Sequence, residues 1–549
     1  MPEFQVLAAF GHRVKQALKK IFQKPKKWPQ GYLVVFPRTW AEGTARKPHE
    51  TFSIDVGDYT DSLEPIPVKV SEYDEEKLPT TAPGRYLIGQ KLAPGPVHVA
   101  IRGKHLALCA GHHALVCRLG LEGSILVMTR SDYEEVTSVC VPGNNPNKSK
   151  AARLRSFLVP ERFVEPGARL KDEDFKVNIL AAVVMETHAI VVIDYSRIAQ
   201  IHVVSSARKF EKADLRPGSE MWRDRLWAKW GGAPDWVYET DAALASLDEW
   251  HASVLSSEQR TPILDVLNTS DSFASGLGQH MASDLLFELA VHPDMPSFDL
   301  CADAALYARF RNHLPNFMRT FVSASYLERC GLAANSSNPF IFNEHSHNNF
   351  IRGFVKVYRK AKVHVPANLY NSYQSQGLLD PDHIIGTPYL QPWDPAGYTY
   401  KVAPVRFLPD KNNNRYTIIC AQPPETWESA HTQEAPFDDV SDAGFSSTLG
   451  PASFVEVLRN KLDPEEIARL RQGKRGRPRK PQRTGNRGRP KNPLTLKVKR
   501  RIEAIPLSLP RYTSTVDEKE NEPPESDEGE ALEPQPRYRT RSTRSRYPL

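Results

Sequence analysis

The stretch Val177-Asn178-Ile179-Leu180-Ala181-Ala182-Val183-Val184-Met185, then Glu186-Thr187, then Ala189-Ile190-Val191-Val192-Ile193, decides the class of fold. Two short apolar runs rich in Val and Ala, parted by a polar pair, read as consecutive buried strands around a turn. Residues 201–204 add another run of the same kind. Towards the N-terminus, residues 32–36, 97–101, 105–109 and 124–128 repeat the signal between Pro and Gly turns, so residues 29–235 are expected to be β-rich. Towards the C-terminus the period changes. Leu244, Leu247, His251 and Leu255 form one helical stripe, and Met281, Leu285, Leu286 and Leu289 form another that Pro293 and Pro296 should end. Helices are also expected at 301–313 and 315–330, with extended segments between 340 and 420. The fold class is therefore α+β: a β-rich N-terminal half, then a helical and mixed region over 236–421.

Ahead of the strands, Phe4, Leu7, Phe10, Val14, Leu18 and Ile21 recur every three or four residues, with Arg13, Lys15, Lys19 and Lys20 mostly on other faces. Residues 1–28 read as a basic amphipathic helix docked on the body, its charged face turned to solvent. Membrane-surface or nucleic-acid contact is the alternative for that face. Across the 549 residues no apolar run approaches a membrane span and no secretory signal pattern is present. Six scattered cysteines form no disulfide framework, which fits a reducing compartment.

The net charge of +7 conceals strong local differences. Residues 471–501 hold fourteen basic residues and no acid. The first 28 residues are +6, residues 502–549 are −3, and residues 29–470 are −10. The basicity belongs to the ends. Residues 422–470 read as a linker, with a short helix opened by Asp463-Pro464-Glu465-Glu466. Residues 502–549 carry an acidic block at 517–533 and an arginine-rich end, a composition that cannot bury enough apolar surface to fold alone.

Within the basic segment, Lys474-Arg475-Gly476-Arg477-Pro478-Arg479-Lys480 and Asn486-Arg487-Gly488-Arg489-Pro490-Lys491 share an Arg-Gly-Arg-Pro core. Each resembles the AT-hook of chromatin-associated proteins, and the resemblance implies binding in the minor groove of A/T-rich DNA. The residues suit that role. An A/T tract has a narrow groove of enhanced negative potential, so inserted arginines gain both attraction and hydrogen bonds to base acceptors. Gly476 and Gly488 let the backbone approach the groove floor, while Pro478 and Pro490 keep it extended without an N–H to satisfy. Arg475, Arg477, Arg487 and Arg489 are expected in the groove, and Lys474, Arg479, Lys480 and Lys491 on phosphates. The second copy, flanked by Asn486 and Asn492, is expected to be weaker. Lys497-Val498-Lys499-Arg500-Arg501 alone would suit a nuclear localisation signal.

Other constellations carry less. His105, Cys109, His112, His113 and Cys117 lie close in sequence, but no Cys-x-x-Cys knuckle is present and the flanking residues read as strands, so buried strand cysteines are expected and no metal is assigned. Residues 143–149 lack the glycine a phosphate loop needs before Lys148. Asp194 ends a strand where some nucleases place a metal-binding carboxylate, yet no spacing selects its partners. His292 and Asp294, with His345 or His347, could be assembled into an iron triad, but the nearby prolines read more simply as a helix exit. Trp222, Trp227, Trp230 and Trp236 read as packing at a domain junction. Lys519-Glu520-Asn521 resembles a KEN-box degron. No cofactor is expected. The sequence thus points to a nuclear, chromatin-associated protein binding A/T-rich DNA through its tail, with a DNA-processing enzyme or an interaction scaffold as alternatives for the body. A peptide spanning residues 470–502 should bind A/T-rich duplex in preference to G/C-rich duplex in an anisotropy titration; equal binding would remove the groove-specific reading.

Overall fold

The computed structural model describes residues 3–427 apart from 24–26, 37–51, 61–65, 68–84, 88–89, 121–122, 144–154, 164–175, 195–197, 271, 332–337, 341–342, 382–385, 387, 392–393, 395 and 409–413. The hook segment and the rest of the tail lie outside the described residues.

The expected strands, joined by one at 52–55 that the sequence reading did not foresee, form one sheet of nine: β1 (Gln30–Val35), β2 (Phe52–Asp55), β3 (Gly95–Arg102), β4 (His105–Ala110), β5 (His113–Arg118), β6 (Gly123–Thr129), β7 (Ile179–Met185), β8 (His188–Asp194) and β9 (Gln200–Ser205). The lateral order is β2-β9-β5-β4-β3-β1-β7-β8-β6. All pairings are antiparallel except β9 with β2. The two halves of the sheet meet where β1 pairs with β3 through only Gln30–Pro96 and Gly31–Gly95. A helix not foreseen, α2 (Arg130–Ser138), follows β6 and is capped by the Thr129 side chain, which accepts from Asp132 N.

Because side chains alternate along a strand, each strand serves two cores. In β4, Leu106, Leu108 and Ala110 belong to the main core, whereas Ala107 and Cys109 face a second cluster with Trp222 and Trp227. The main core is shared with α1 (Phe4–Gln23), which buries Phe4, Leu7, Phe10, Val14 and Leu18 against both the sheet and the helical half. The helix is docked as expected, with Lys15, Lys19 and Lys20 exposed, but Arg13 is buried with the apolar stripe and Ile21 at its end is only partly covered.

The second half contains α3 (Thr240–Ser257), α4 (Ile263–Thr269), α5 (Gln279–Leu289), α6 (Ser297–Ala302), α7 (Ala304–Thr320), α8 (Ala324–Cys330) and α9 (Glu344–Phe354). These are followed by β10 (Lys362–Pro366), α10 (Ala367–Ser375), β11 (Thr399–Pro404) and the hairpin of β12 (Arg406–Leu408) and β13 (Arg415–Thr417). Two expectations shift here. The buried stripe of α3 is Ala243, Leu247, Trp250 and Val254, while Leu255 is exposed. Trp250 offers more apolar surface than His251 and packs on Phe273, which rotates the helix from the expected phase. Helix α7 runs through Pro315 instead of breaking there; Leu314, Phe317 and Met318 are buried on either side, and Asp303 caps its start by accepting from Ala305 N and Leu306 N. Among the described residues no helix is long and apolar enough to cross a membrane.

Phe10 is fully buried in the core that α1 shares with both halves. Phe10→Ala should cost about 3–5 kcal/mol of unfolding free energy, measured by urea denaturation. A loss below about 1 kcal/mol would show that α1 packs outside the cooperative core.

Candidate active site

The sequence places Glu3 just ahead of α1 and Ser275-Gly276-Leu277-Gly278 just ahead of α5, and the fold brings the two together. Phe4 N donates to Gly276 O at 3.0 Å. The Glu3 carboxylate then accepts from His280 N at 3.0 Å and from Met281 N at 2.8 Å. It thereby occupies the N-terminus of α5, where unsatisfied amides and the helix dipole favour negative charge. Gly278 makes the approach possible: a Cβ there would lie 2.5 Å from Glu3 Oε1.

The β3–β4 turn, Gly103-Lys104, reaches the same loop. Gly103 has φ +54°, and a Cβ on it would stand 2.5 Å from Ser275 Oγ. Buried Asp235 fixes this turn by accepting from Gly103 N at 2.6 Å, and it also accepts from Val237 N and Tyr238 N. Burial raises the Asp235 pKa, opposed by those backbone hydrogen bonds. Trp236 Nε1 donates to Phe273 O at 2.8 Å and secures the other side of the loop. A carboxylate from the chain's first described residue and an amine-bearing turn from the sheet are thus held against one loop of the helical half.

A buried network lies behind Glu3. Gln5 Nε2 is 3.0 Å from His280 Nδ1, and His280 Nε2 is 2.9 Å from Asp284 Oδ2. Asp284 also accepts from Lys356 N, Val357 N and Tyr358 N. Burial opposes the charge on His280, but Asp284 outweighs it and the His280 pKa is raised. Burial likewise opposes the charge on Asp284, yet His280 and the backbone amides outweigh it and its pKa is lowered. Gln279 continues the contact outward, its Nε2 donating to Asn414 O at 2.8 Å in the loop between β12 and β13. Arg415 in that hairpin is buried between Asp294 and Asp265, bonding Asp265 Oδ2 at 2.9 Å.

The hook residues Lys474 to Lys480 and Arg487 to Lys491 lie outside the described residues. The other sequence candidates are dispersed by the fold. Cys109 and Cys117 sit in different cores on opposite faces of the sheet. His105 stacks on Trp230 at 5.0 Å, and His113 Nδ1 is 2.9 Å from Ser205 Oγ. Asp194 clamps a turn by accepting from Ile198 N at 2.8 Å and Ala199 N at 2.6 Å. Asp294 pairs with Arg415, and His292 Nδ1 accepts from Asp294 N. Among the described residues no group of three or more His, Cys, Asp or Glu is placed to hold a metal ion. Trp222 and Trp227 pack edge to face at 5.1 Å, and Trp236 is fully buried. Sequence reading passed over Glu3 and Lys104; the signal that could have led to Glu3 is the Gly-x-Gly immediately before an apolar helix, a place where anions bind.

No family model matches the chain, and no curated protein matches it. Among solved structures it is similar to MutM in complex with DNA containing carbocyclic 8-oxo-G, with a TM-score of 0.32, 10% identity and coverage of 60% of this chain and 82% of that one. It is also similar to Lactococcus lactis formamido-pyrimidine DNA glycosylase bound non-covalently to DNA containing an AP site, with a TM-score of 0.33, 11% identity and coverage of 61% and 84%.

The His280–Asp284 pair makes stability depend on pH with a fixed sign. The raised His280 pKa gives stability that is full below about pH 6.5 and lost as pH rises through the folded value. The lowered Asp284 pKa gives stability that is full above about pH 4 and lost as pH falls through the folded value. Unfolding free energy should therefore decline on the alkaline side of neutrality, and His280→Gln should flatten that limb. An alkaline limb identical in both proteins would show that His280 is neutral in the fold.

Proposed function

We propose that this chain is a DNA-processing enzyme that acts on a damaged or abasic nucleotide at the Glu3–Lys104 site and is delivered to A/T-rich DNA in the nucleus by its two C-terminal hooks. One observation carries the enzymatic half: a carboxylate fixed at a helix N-terminus and an amine-bearing turn converge on the loop of residues 275–278. Amines are the side chains that form covalent imines with carbonyl carbons, and a neighbouring carboxylate is the natural carrier of the protons involved. An abasic deoxyribose in its open form presents such a carbonyl. Enzymes that work on a single nucleotide of a duplex turn it out of the stack, and the proposed site lies at the seam between the sheet and the helical half.

In the proposed step, the Glu3 carboxylate takes a proton from the ammonium of the site, and the neutral amine so formed adds its lone pair to C1′ of the open sugar while a proton passes from its nitrogen to the carbonyl oxygen. The carbinolamine then loses its hydroxyl as water, with Glu3 returning the proton it took, and leaves a protonated imine. Lys104, which follows Gly103 in the turn against this loop, is the amine we assign to the step; an amine from outside the described residues is the competing source. The hooks supply affinity without selecting the lesion. Arg475, Arg477, Arg487 and Arg489 would occupy the minor groove, and the fourteen positive charges of residues 471–501 would hold the enzyme on DNA through counterion release.

The abasic-site duplex bound by the Lactococcus lactis glycosylase supplies the probe. Borohydride should trap the full-length protein on such a duplex as a covalent adduct, and peptide mapping should tell Lys104 from an N-terminal amine. Glu3→Gln should slow trapping by about 10²-fold or more, and Gly278→Ala, which crowds the same carboxylate, should slow it as well. Absence of any adduct, with stable DNA binding retained, would leave the body a non-catalytic scaffold.

A further inference from the structure

We propose that the solvent-facing side of α1, together with the lysines that follow β9, is a second DNA contact: a track for the phosphate backbone running away from the Glu3 site. The proposal rests on the DNA-processing reading but on different residues.

Helix α1 buries Phe4, Leu7, Phe10, Val14 and Leu18 inside the protein, leaving only Ile21 and Phe22 at its end partly uncovered. Lys15, Lys19 and Lys20 are left exposed on the outer face, and Lys27 is exposed beyond its end. Lys209 and Lys212, from the segment after β9, lie beside them; Lys209 Nζ donates to Pro94 O at 2.9 Å. These charges share one field. Partial burial, then the charges of Lys19 and Lys212, hold the Lys15 pKa below its ordinary value, and burial followed by Lys212 does the same to His98. Of the acids nearby, Asp214 is paired with Arg208, Glu328 faces His12, and Glu211 acts on Arg208 and His98. Phe22, 39% exposed, and Trp28, stacked on His98, flank this surface with aromatic rings.

A surface of this kind needs a polyanion. Residues 29–470 are −10 overall, so a cluster of like charges on their surface opposes the general charge of the body. A lipid surface is the poorer partner, because interfacial helices bury an apolar face in the bilayer and the apolar face of α1 already lies in the core. The helix also fixes the distance. Lys15 and Lys19 follow Glu3 by 12 and 16 residues, about 18 and 24 Å along the axis at 1.5 Å per residue. At about 3.4 Å per base pair, a duplex aligned with α1 would meet these lysines roughly five to seven base pairs from the reacting nucleotide.

The test uses the full-length chain with Arg475, Arg477, Arg487 and Arg489 changed to Ala, so that the hooks contribute little. Lys15→Glu, Lys19→Glu and Lys20→Glu are added together, with the corresponding Lys→Gln triple as the milder variant. On a 30-base-pair duplex, both triples should weaken binding at least about tenfold, and the slope of log K against log salt should shrink by about 2.7 for three lost phosphate contacts. On an abasic duplex with about five base pairs on either side of the lesion, borohydride trapping should stay within about twofold, which also certifies the fold. An unchanged salt slope on the long duplex overturns the track. So does loss of binding to phosphatidylserine vesicles with DNA binding intact, which would assign the face to lipid. If no adduct forms on any duplex while the slope still shrinks, the enzymatic reading fails and the track stands.

Discussion

Burial of the apolar stripe of α1 is the constraint on which the rest of the molecule depends. The helix is the first element of the chain, yet Phe4, Leu7 and Phe10 occupy the centre of a core that takes in β3, β4, β7 and β8 on one side and α5, α7 and α8 on the other. Non-directional apolar burial holds the two halves together. Directional bonds then set how they meet: Phe4 to Gly276, Tyr326 OH to Gln5 O at 2.8 Å, and Glu3 to the first amides of α5. Direct contacts such as Gly103 with Asp235 add to this joint, and the stripe supplies its apolar part.

The carboxylates along this seam illustrate how charge is kept inside a protein. Each buried acid is surrounded by donors: Glu3 by two backbone amides, Asp235 by three, and Asp284 by His280 and the amides of residues 356–358. Buried ions endure only when paired or fully hydrogen-bonded, and removing one partner of such a pair costs about 3–5 kcal/mol. Asp284 and Asp235 spend their bonding capacity on tying segments together. Glu3 is held through both oxygens by the first amides of a helix, at the seam between the two halves.

Much of the sheet was legible in the sequence, because runs such as 179–185 and 189–193 are too short and too uniformly apolar to be anything but buried strands once their turn is recognised. The docking of α1 was legible from spacing alone. The phase of α3 was not, since Trp250 against Phe273 is a tertiary contact that moves the buried stripe off Leu255. Pro315 misled for the same reason: local chemistry argued for a break, and burial of Leu314, Phe317 and Met318 overrode it. Strand periodicity correctly placed Cys109 and Cys117 in strands, and the pleat then set them on opposite faces. Glu3 was out of reach because its partners, His280 and Met281, are nearly half the chain away. The two Arg-Gly-Arg-Pro segments are the converse, a pattern legible in local sequence with no long-range partner needed to read it.

The pairing of Glu3 with His280 spans 277 positions of sequence, which matters while the protein is being made. At about 5–20 residues per second, the ribosome needs roughly 14–55 s to deliver the amides that receive Glu3. Throughout that interval α1 has emerged with a fully apolar stripe and only an incomplete sheet to cover it. Helix α1, made before most of the elements it packs on, is therefore among the last to find its complete set of neighbours. Until they arrive its apolar stripe has no full cover, so the order of synthesis and the order of packing run opposite ways in this fold.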